Sequence, residues 1–201
     1  MSGVSIKAYL TSLRWDGVPR VGAALARYFG ASDEDSAQLS APWFVSLVRR
    51  ALEPGCAIGA ALVFVGAQGI GKTLSIWTLT GEDYFGHIAR LDGGRDNMAV
   101  TTASWIVELS ELDSMGERAR IFLLALSDHY RPPYARVIGD EPRRCIFVGT
   151  ANEEQWLAAS GVSNLFTPVR VQVPDVAAIK RDRDQLFAEA VELFRAMKVR
   201  T

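Results

Sequence analysis

Hydrophobic positions along the chain change period near residue 60. Before it they recur at helical spacing. Ile6, Tyr9, Leu10 and Leu13 make one apolar stripe, and Val21, Leu25 and Tyr28-Phe29 make a second that ends at Gly30. Trp15-Asp16-Gly17-Val18-Pro19-Arg20 between them reads as a turn. A third helix is predicted from Ala41 to Leu52, stopped by Pro54-Gly55, with the polar stretch Ser32 to Ser36 as loop and cap. Beyond residue 60 the pattern becomes short apolar runs: Ala61–Val65, Trp105–Leu109, Cys145–Gly149 and, as a fourth, Val169–Val173. Such runs suit strands covered on both faces of a mostly parallel sheet. Helices are expected between them at 71–80, 117–127 and 153–158. A final helix over 181–198 carries Leu186, Ala190, Leu193, Phe194 and Met197 on one face. The fold class expected is α/β: a three-layer core over 56–201 with a mostly parallel sheet, and a helical region over 1–55. No internal repeat interrupts this pattern.

Composition narrows the picture. The chain has 201 residues, 49% of them hydrophobic, enough for one domain with a substantial core. Net charge is −1, so no global basic field draws it to nucleic acid, and any DNA contact must come from a local patch. Cys56 and Cys145 form no metal pattern, and a reducing cytoplasm is the simplest setting. Cys145, inside an apolar run, is expected to be a buried small hydrophobe. His87 and His129 are isolated. No signal peptide and no bilayer-length apolar stretch is read, so no membrane partner is expected.

The strongest chemical signal follows the first apolar run. Gly66-Ala67-Gln68-Gly69-Ile70-Gly71-Lys72-Thr73 matches G-x-x-x-x-G-K-[ST] and leads into Leu74-Ser75-Ile76-Trp77-Thr78-Leu79. Strand, glycine turn, helix is the context a phosphate-binding loop requires. Glycines let the backbone approach an anion, and a helix N-terminus adds N–H groups and partial positive charge. Residues 66–74 are therefore the candidate nucleotide-binding segment. Lys72 is assigned to the β- and γ-phosphates of ATP, and the Thr73 hydroxyl to Mg²⁺. A glycine turn that merely caps a helix would leave Lys72-Thr73 unexplained.

Two further segments suit a nucleotide site. Trp105-Ile106-Val107-Glu108-Leu109-Ser110-Glu111 has the form of a Walker B strand, apolar positions followed by an acid. Glu108 is the first candidate for Mg²⁺ and for orienting an attacking water, because an unpaired carboxylate inside an apolar strand is costly. Glu111 is the second candidate, with a solvated loop residue as its plain alternative, and Asp113 lies closer to that alternative. Phe147-Val148-Gly149-Thr150-Ala151-Asn152 ends in an amide that could contact both the water and the γ-phosphate. Its alternative is a helix cap before Glu153.

Arginines and tyrosines cluster between these strands, in Asp128-His129-Tyr130-Arg131-Pro132-Pro133-Tyr134-Ala135-Arg136 and at Arg143-Arg144. Gly139-Asp140 marks a candidate hairpin turn. Three readings stand: a hairpin touching single-stranded DNA, an arginine (Arg131 first) reaching a neighbouring subunit's γ-phosphate, or surface arginines paired with Asp128, Asp140 and Glu141.

Taken in order, these segments resemble the virulence-associated protein E family, phage- and plasmid-type ATPases akin to superfamily 3 helicases. Leu13–Arg20, Gly66–Thr73, Arg95-Asp96, Trp105–Leu112, Asp128–Tyr134, Arg143–Asn152 and Arg181–Ala190 carry the likeness. The Tyr-Arg-x-Pro-Tyr and Gly-Thr-x-Asn segments are its most specific parts. The resemblance implies an AAA+-like P-loop NTPase core in replication of a mobile element. It also implies a homo-oligomeric ring such as a hexamer, with ATP between subunits. It maps Lys72 and Thr73 to phosphate and metal, Glu108 and Glu111 to the acidic motif, and Asn152 to the sensor position. Single-stranded or forked DNA and a separately encoded primase are the implied partners.

One departure matters. Where the family has Gly-Asn-Arg-Arg-Phe-Trp-Pro-Val, this chain has Val162-Ser163-Asn164-Leu165-Phe166-Thr167-Pro168-Val169. Asn164 and Leu165 cannot neutralise phosphate charge, a role worth about 10³–10⁵ in rate when an arginine fills it. Arg131, Arg143, Arg144 and Arg170 are the candidate substitutes. Helicase-like ATP hydrolysis is the leading expectation, a nucleotide-binding regulatory protein with little turnover the alternative, and a small-molecule kinase a distant third.

Overall fold

The computed structural model describes residues 5–31, 34–112, 117–130, 139–152 and 163–199. The N-terminal third is helical. α1 (Ile6–Ser12) starts where the Ser5 hydroxyl accepts the Ala8 N–H, and α2 (Ala24–Phe29) ends at Gly30 in the left-handed region. α3 (Glu34–Leu52) begins seven residues before the expected start at Ala41 and passes through Pro42. Of the polar stretch expected as a loop, residues 34–36 are its first turn, and Ser32 and Asp33 lie outside the described residues. A proline in a helix interior costs a hydrogen bond, but α3 is held by packing against α2 and the last helix.

Beyond it lie β1 (Ala61–Val65), α4 (Lys72–Thr80), β2 (Phe85–Ile88), α5 (Arg95–Ala103), β3 (Ile106–Leu109) and α6 (Glu117–Leu124). β4 (Ser127–Tyr130), β5 (Gly139–Pro142), β6 (Ile146–Ala151), β7 (Phe166–Arg170) and α7 (Val176–Val199) complete the order. Five strands form one parallel sheet in the order β2-β3-β6-β1-β7. Its two faces are covered separately. Leu62, Phe64 and Val148 face a core shared with α2, α3 and α7, whereas Val63, Val107 and Phe147 face one shared with Ala119 and Phe122 of α6. The period-two alternation of a strand delivers neighbouring apolar residues to opposite faces, so both must be covered.

The structure corrects several predicted elements. β2 and α5 were not expected: Phe85-Gly86-His87-Ile88 is an edge strand paired to β3 alone, too short and mixed to show as an apolar run. β7 begins at Phe166 rather than Val169. Pro168 hid its first half, yet β7 is an edge strand, where proline is tolerated. The helix expected over 117–127 stops at Leu124, and Ser127–Tyr130 pairs antiparallel with β5 instead. Gly139-Asp140 is therefore strand, not turn: Gly139 stands opposite Tyr130 and Asp140 opposite His129. The helix expected at 153–158 and the segment with Arg131 lie outside the described residues. α7 starts five residues before the expected 181, where the Asp175 carboxylate accepts the Ala178 N–H. Among the described residues no helix is long and apolar enough to cross a membrane.

The Trp15–Arg20 turn is confirmed, and its job is attachment. Asp16 accepts the Val18 N–H at 2.9 Å and both Arg20 Nη groups at 2.8 and 2.7 Å, while Gly17 takes φ 84°. Gln185 of α7 accepts the Asp16 N–H, and Glu189 accepts the N–H groups of Arg20 and Val21. Two sequence segments some 170 residues apart thus meet through backbone groups that α7 side chains satisfy.

Candidate functional site

The site forms where β1, β3 and β6 end. In a parallel sheet all strand C-termini share one edge, so the loops after Val65, Leu109 and Ala151 converge there. Gly66 leaves β1 so close to Val171 that a Cβ would sit 2.5 Å from its carbonyl oxygen. Gly71 caps α4 at φ 98°, a left-handed conformation that L side chains rarely adopt. The first intrahelical bond runs from the Ser75 N–H to the Gly71 carbonyl, so the N–H groups of the preceding turn have no helical acceptor. Residues of that turn line a cleft of about 620 Å³. Its lining includes Gln68, Gly69, Gly71, Lys72, Thr73 and Leu74 from the loop and α4, with Trp77, Ser110, Thr150 and Asn152 around them.

Lys72 is folded back into the loop. Its Nζ donates to the Gly66 and Ala67 carbonyls at 2.6 and 2.9 Å and lies 3.3 Å from the Asn152 Oδ1. Burial pushes the ammonium below the ordinary lysine value, and the negative charge of Glu108 opposes that shift. Glu108 is 1% exposed. Its Oε1 accepts the hydroxyls of Thr73 (2.6 Å) and Thr150 (2.7 Å), whereas its buried Oε2 has no partner among the described residues.

Lys72, Thr73, Glu108 and Asn152 are therefore brought together, as their motifs required. Glu111 is not: it follows β3 as an exposed residue, its backbone N–H bonded to Ala89, and it does not line the cleft. Arg131 lies outside the described residues. Arg143, a candidate substitute arginine, is buried in an ion pair with Asp128, with its Nη1 on the Phe122 carbonyl and its guanidinium over the Phe122 ring. It cannot reach a phosphate without vacating the core. Arg144 sits at the N-terminal end of β6, away from the cleft, while Arg170 ends β7 beside Val65. Asn164 and Leu165 precede β7, so they stand at the opposite end of the sheet from Lys72 and line another cavity.

Sequence reasoning missed three contributors. Thr150 shares the Glu108 Oε1. Ser110 lines the cleft and lies 3.1 Å from His87 Nε2. Trp77 presents an exposed aromatic face at the rim. The hydroxyl of Thr150, two residues before Asn152, was the readable signal. Trp77 carried none, since an aromatic residue in α4 reads as core.

A description of the virulence-associated protein E-like domain matches residues 10–200. The chain belongs to that family. No curated protein matches it in sequence. Among solved structures it is similar to the apo C-terminal region of NrS-1 (residues 305–718), with TM-score 0.60 and 16% identity over 89% of this chain and 47% of that one. An A form of the same apo region aligns with TM-score 0.59 at 16% identity over 89% and 46%. This chain thus spans about half the length of the solved chains it matches, and at that identity the likeness is one of fold.

Proposed function

We propose that this virulence-associated protein E-like chain is an AAA+-like P-loop ATPase that couples ATP hydrolysis to work on DNA during replication of a mobile element. One observation carries the reading. Lys72, Thr73 and Asn152 line one cleft at the C-terminal edge of a parallel sheet, and from a third chain segment the half-satisfied buried carboxylate of Glu108 holds Thr73.

The residues fit a triphosphate with Mg²⁺. Unused N–H groups at the start of α4 suit phosphate oxygens. Thr73 and Glu108 are hard oxygen donors already in contact. Among the described residues no group of three or more His, Cys, Asp or Glu gathers. That suits Mg²⁺, which takes one or two protein oxygens and otherwise water and phosphate. When bound, Mg²⁺ supplies charge neutralisation at the phosphates. The chain does the rest. Lys72 exchanges its loop carbonyls for phosphate oxygen, a stronger charge-assisted acceptor. Glu108 Oε2, with no donor of its own, accepts a proton from the attacking water. Thr150 holds Oε1 and so aims the carboxylate. Asn152 orients water against the terminal phosphate. Lys72 is the one cation lining the cleft among the described residues, which favours the second reading, a nucleotide-binding protein with little turnover.

Calorimetry with ATP·Mg²⁺, and phosphate release with and without single-stranded DNA, test this. Lys72→Ala should weaken nucleotide binding about 10–100-fold, the weight of charge-assisted hydrogen bonds. No heat from ATP·Mg²⁺ on folded protein would end both readings. Binding without turnover, with or without DNA, would leave the second. Rings of neighbouring copies should assemble with nucleotide, and a strict monomer would remove the ring from the proposal.

A further inference from the structure

A second cavity lies between α3, α6 and the N-terminal ends of β1 and β6, at the opposite end of the sheet from the nucleotide cleft. It encloses about 480 Å³ and its wall is mainly apolar, with Leu39, Pro42, Ile58, Leu123 and Phe147 among its lining. Packed interiors leave few voids larger than a water molecule, whereas sites for small organic molecules run from about 300 to 1,000 Å³. Two exposed leucines, Leu124 and Leu126, belong to its lining and give it an apolar rim.

Two buried donors on this wall lack acceptors. The Nε of Arg50 and the Nε1 of Trp43 have no hydrogen-bond partner among the described residues. Both residues line the cavity and both are 5% exposed. They are seven residues apart on α3, two turns along one face. Arg50 places Nη1 on the Cys56 carbonyl at 2.6 Å, which satisfies a hydrogen bond but not a charge. Among the described residues it makes no ion pair. Asp128, whose charge does act on Arg50, is already taken by Arg143 and Thr101. A buried guanidinium without a counter-ion is costly. A water could take the orphan N–H, but it would leave the charge unbalanced, and an apolar wall offers water few partners.

We infer that this cavity binds a small apolar carboxylate, its head accepting from Arg50 Nε and its hydrocarbon body lying between α3 and α6. The carboxylate supplies the missing negative charge and its oxygens the missing acceptor. Trp43 Nε1 is the second donor within the same wall. This site is separate from the nucleotide cleft, so its fate does not depend on the ATPase reading.

The test uses the whole chain with octanoate and octan-1-ol, equal in length and unequal in charge. Calorimetry should show saturable, one-to-one octanoate binding and octanol at least about tenfold weaker, the cost of leaving a charged donor unpaired. The Trp43 indole N–H resonance should move during the octanoate titration. Arg50→Met, which keeps the apolar stem without the charge, should reduce octanoate affinity about tenfold or more and leave octanol unchanged. Equal binding of the two probes, no saturable octanoate binding, or an unaffected Arg50→Met would each overturn the inference. Should Arg50→Met fail to fold, Ser46→Phe fills the cavity while leaving Arg50 in place. Loss of octanoate binding then supports the site, and retained binding overturns it.

Discussion

Of the three carboxylates buried among the described residues, Asp128 and Glu108 differ most in how completely they are answered. Asp128 on β4 accepts from Arg143 through both Nε and Nη2 and from the Thr101 hydroxyl. Arg143 in turn spends its Nη1 on a backbone carbonyl and lies against the rings of Phe122 and Phe147. Nothing is left over. Glu108 on β3 has one oxygen with two hydroxyl donors and another with none, and the nearby Lys72 gives its protons to backbone carbonyls instead. A saturated buried pair fixes structure. An unsaturated one retains capacity for a ligand, at a cost the fold must carry.

The comparison breaks first at Glu108. Glu108→Gln keeps size and the acceptor for both threonines but removes the basic oxygen. ATP turnover should fall by about 10²–10⁴, with the melting temperature near that of the parent. A variant that hydrolyses ATP at the parent rate would show that the orphan oxygen has no chemical task. Arg143→Met is the converse. It leaves Asp128 charged and alone, and should cost about 3–5 kcal/mol, roughly 10 °C in melting temperature for a domain of this size. Adding Asp128→Leu should restore most of that stability. Failure of the double variant to recover would mean the pair is more than a self-contained clamp.

Smaller effects sharpen the same contrast. Thr150→Val should loosen the Glu108 carboxylate and lower turnover, with a stability change of about 1 kcal/mol, the weight of a single hydrogen bond. Steady-state rates and thermal melts on the same sample separate the two. Cys145 lies beside the Asp128–Arg143 clamp, and burial pushes its thiol up to about 12. A thiol reagent at neutral pH should therefore modify half-buried Cys56 and reach Cys145 only on unfolding. The smallest effect concerns the Asp16–Arg20 turn. Arg20 holds the Asp16 carboxyl at about 2, below its ordinary 3.8. Because the folded value is the lower one, the contribution is complete above 3.8 and disappears as pH falls through about 2. Asp16→Asn should remove that acid dependence from hydrogen exchange at Val18.

The glycine loop, its strand and its helix were legible because local rules act there: a glycine where φ must be positive, an apolar run, a lysine and threonine at fixed spacing. Glu108 was legible for a related reason, since an acid in an apolar strand is an anomaly that demands an explanation. Glu111, three residues on, looked equally acidic, but the strand had ended and its side chain left the cleft. Arg143 was read as surface or catalytic. Asp128 stood among the partners expected for these arginines, but nothing near either residue in sequence announced that the pair would lie in the core rather than at the surface. β2 and α5 stayed hidden because an edge strand and a short helix owe their form to neighbours rather than to their own periodicity.

By itself the sequence determined the elements whose signals are local: the parallel-sheet class, the glycine loop between β1 and α4, and the turn at Trp15–Arg20. Only the tertiary structure decided which polar groups found partners. It joined Thr150 to Glu108, closed Arg143 on Asp128, and left Arg50 Nε and Trp43 Nε1 without acceptors among the described residues. The physical reason is that satisfaction of a buried donor or acceptor depends on what the chain brings to it from afar, and composition and spacing do not record that.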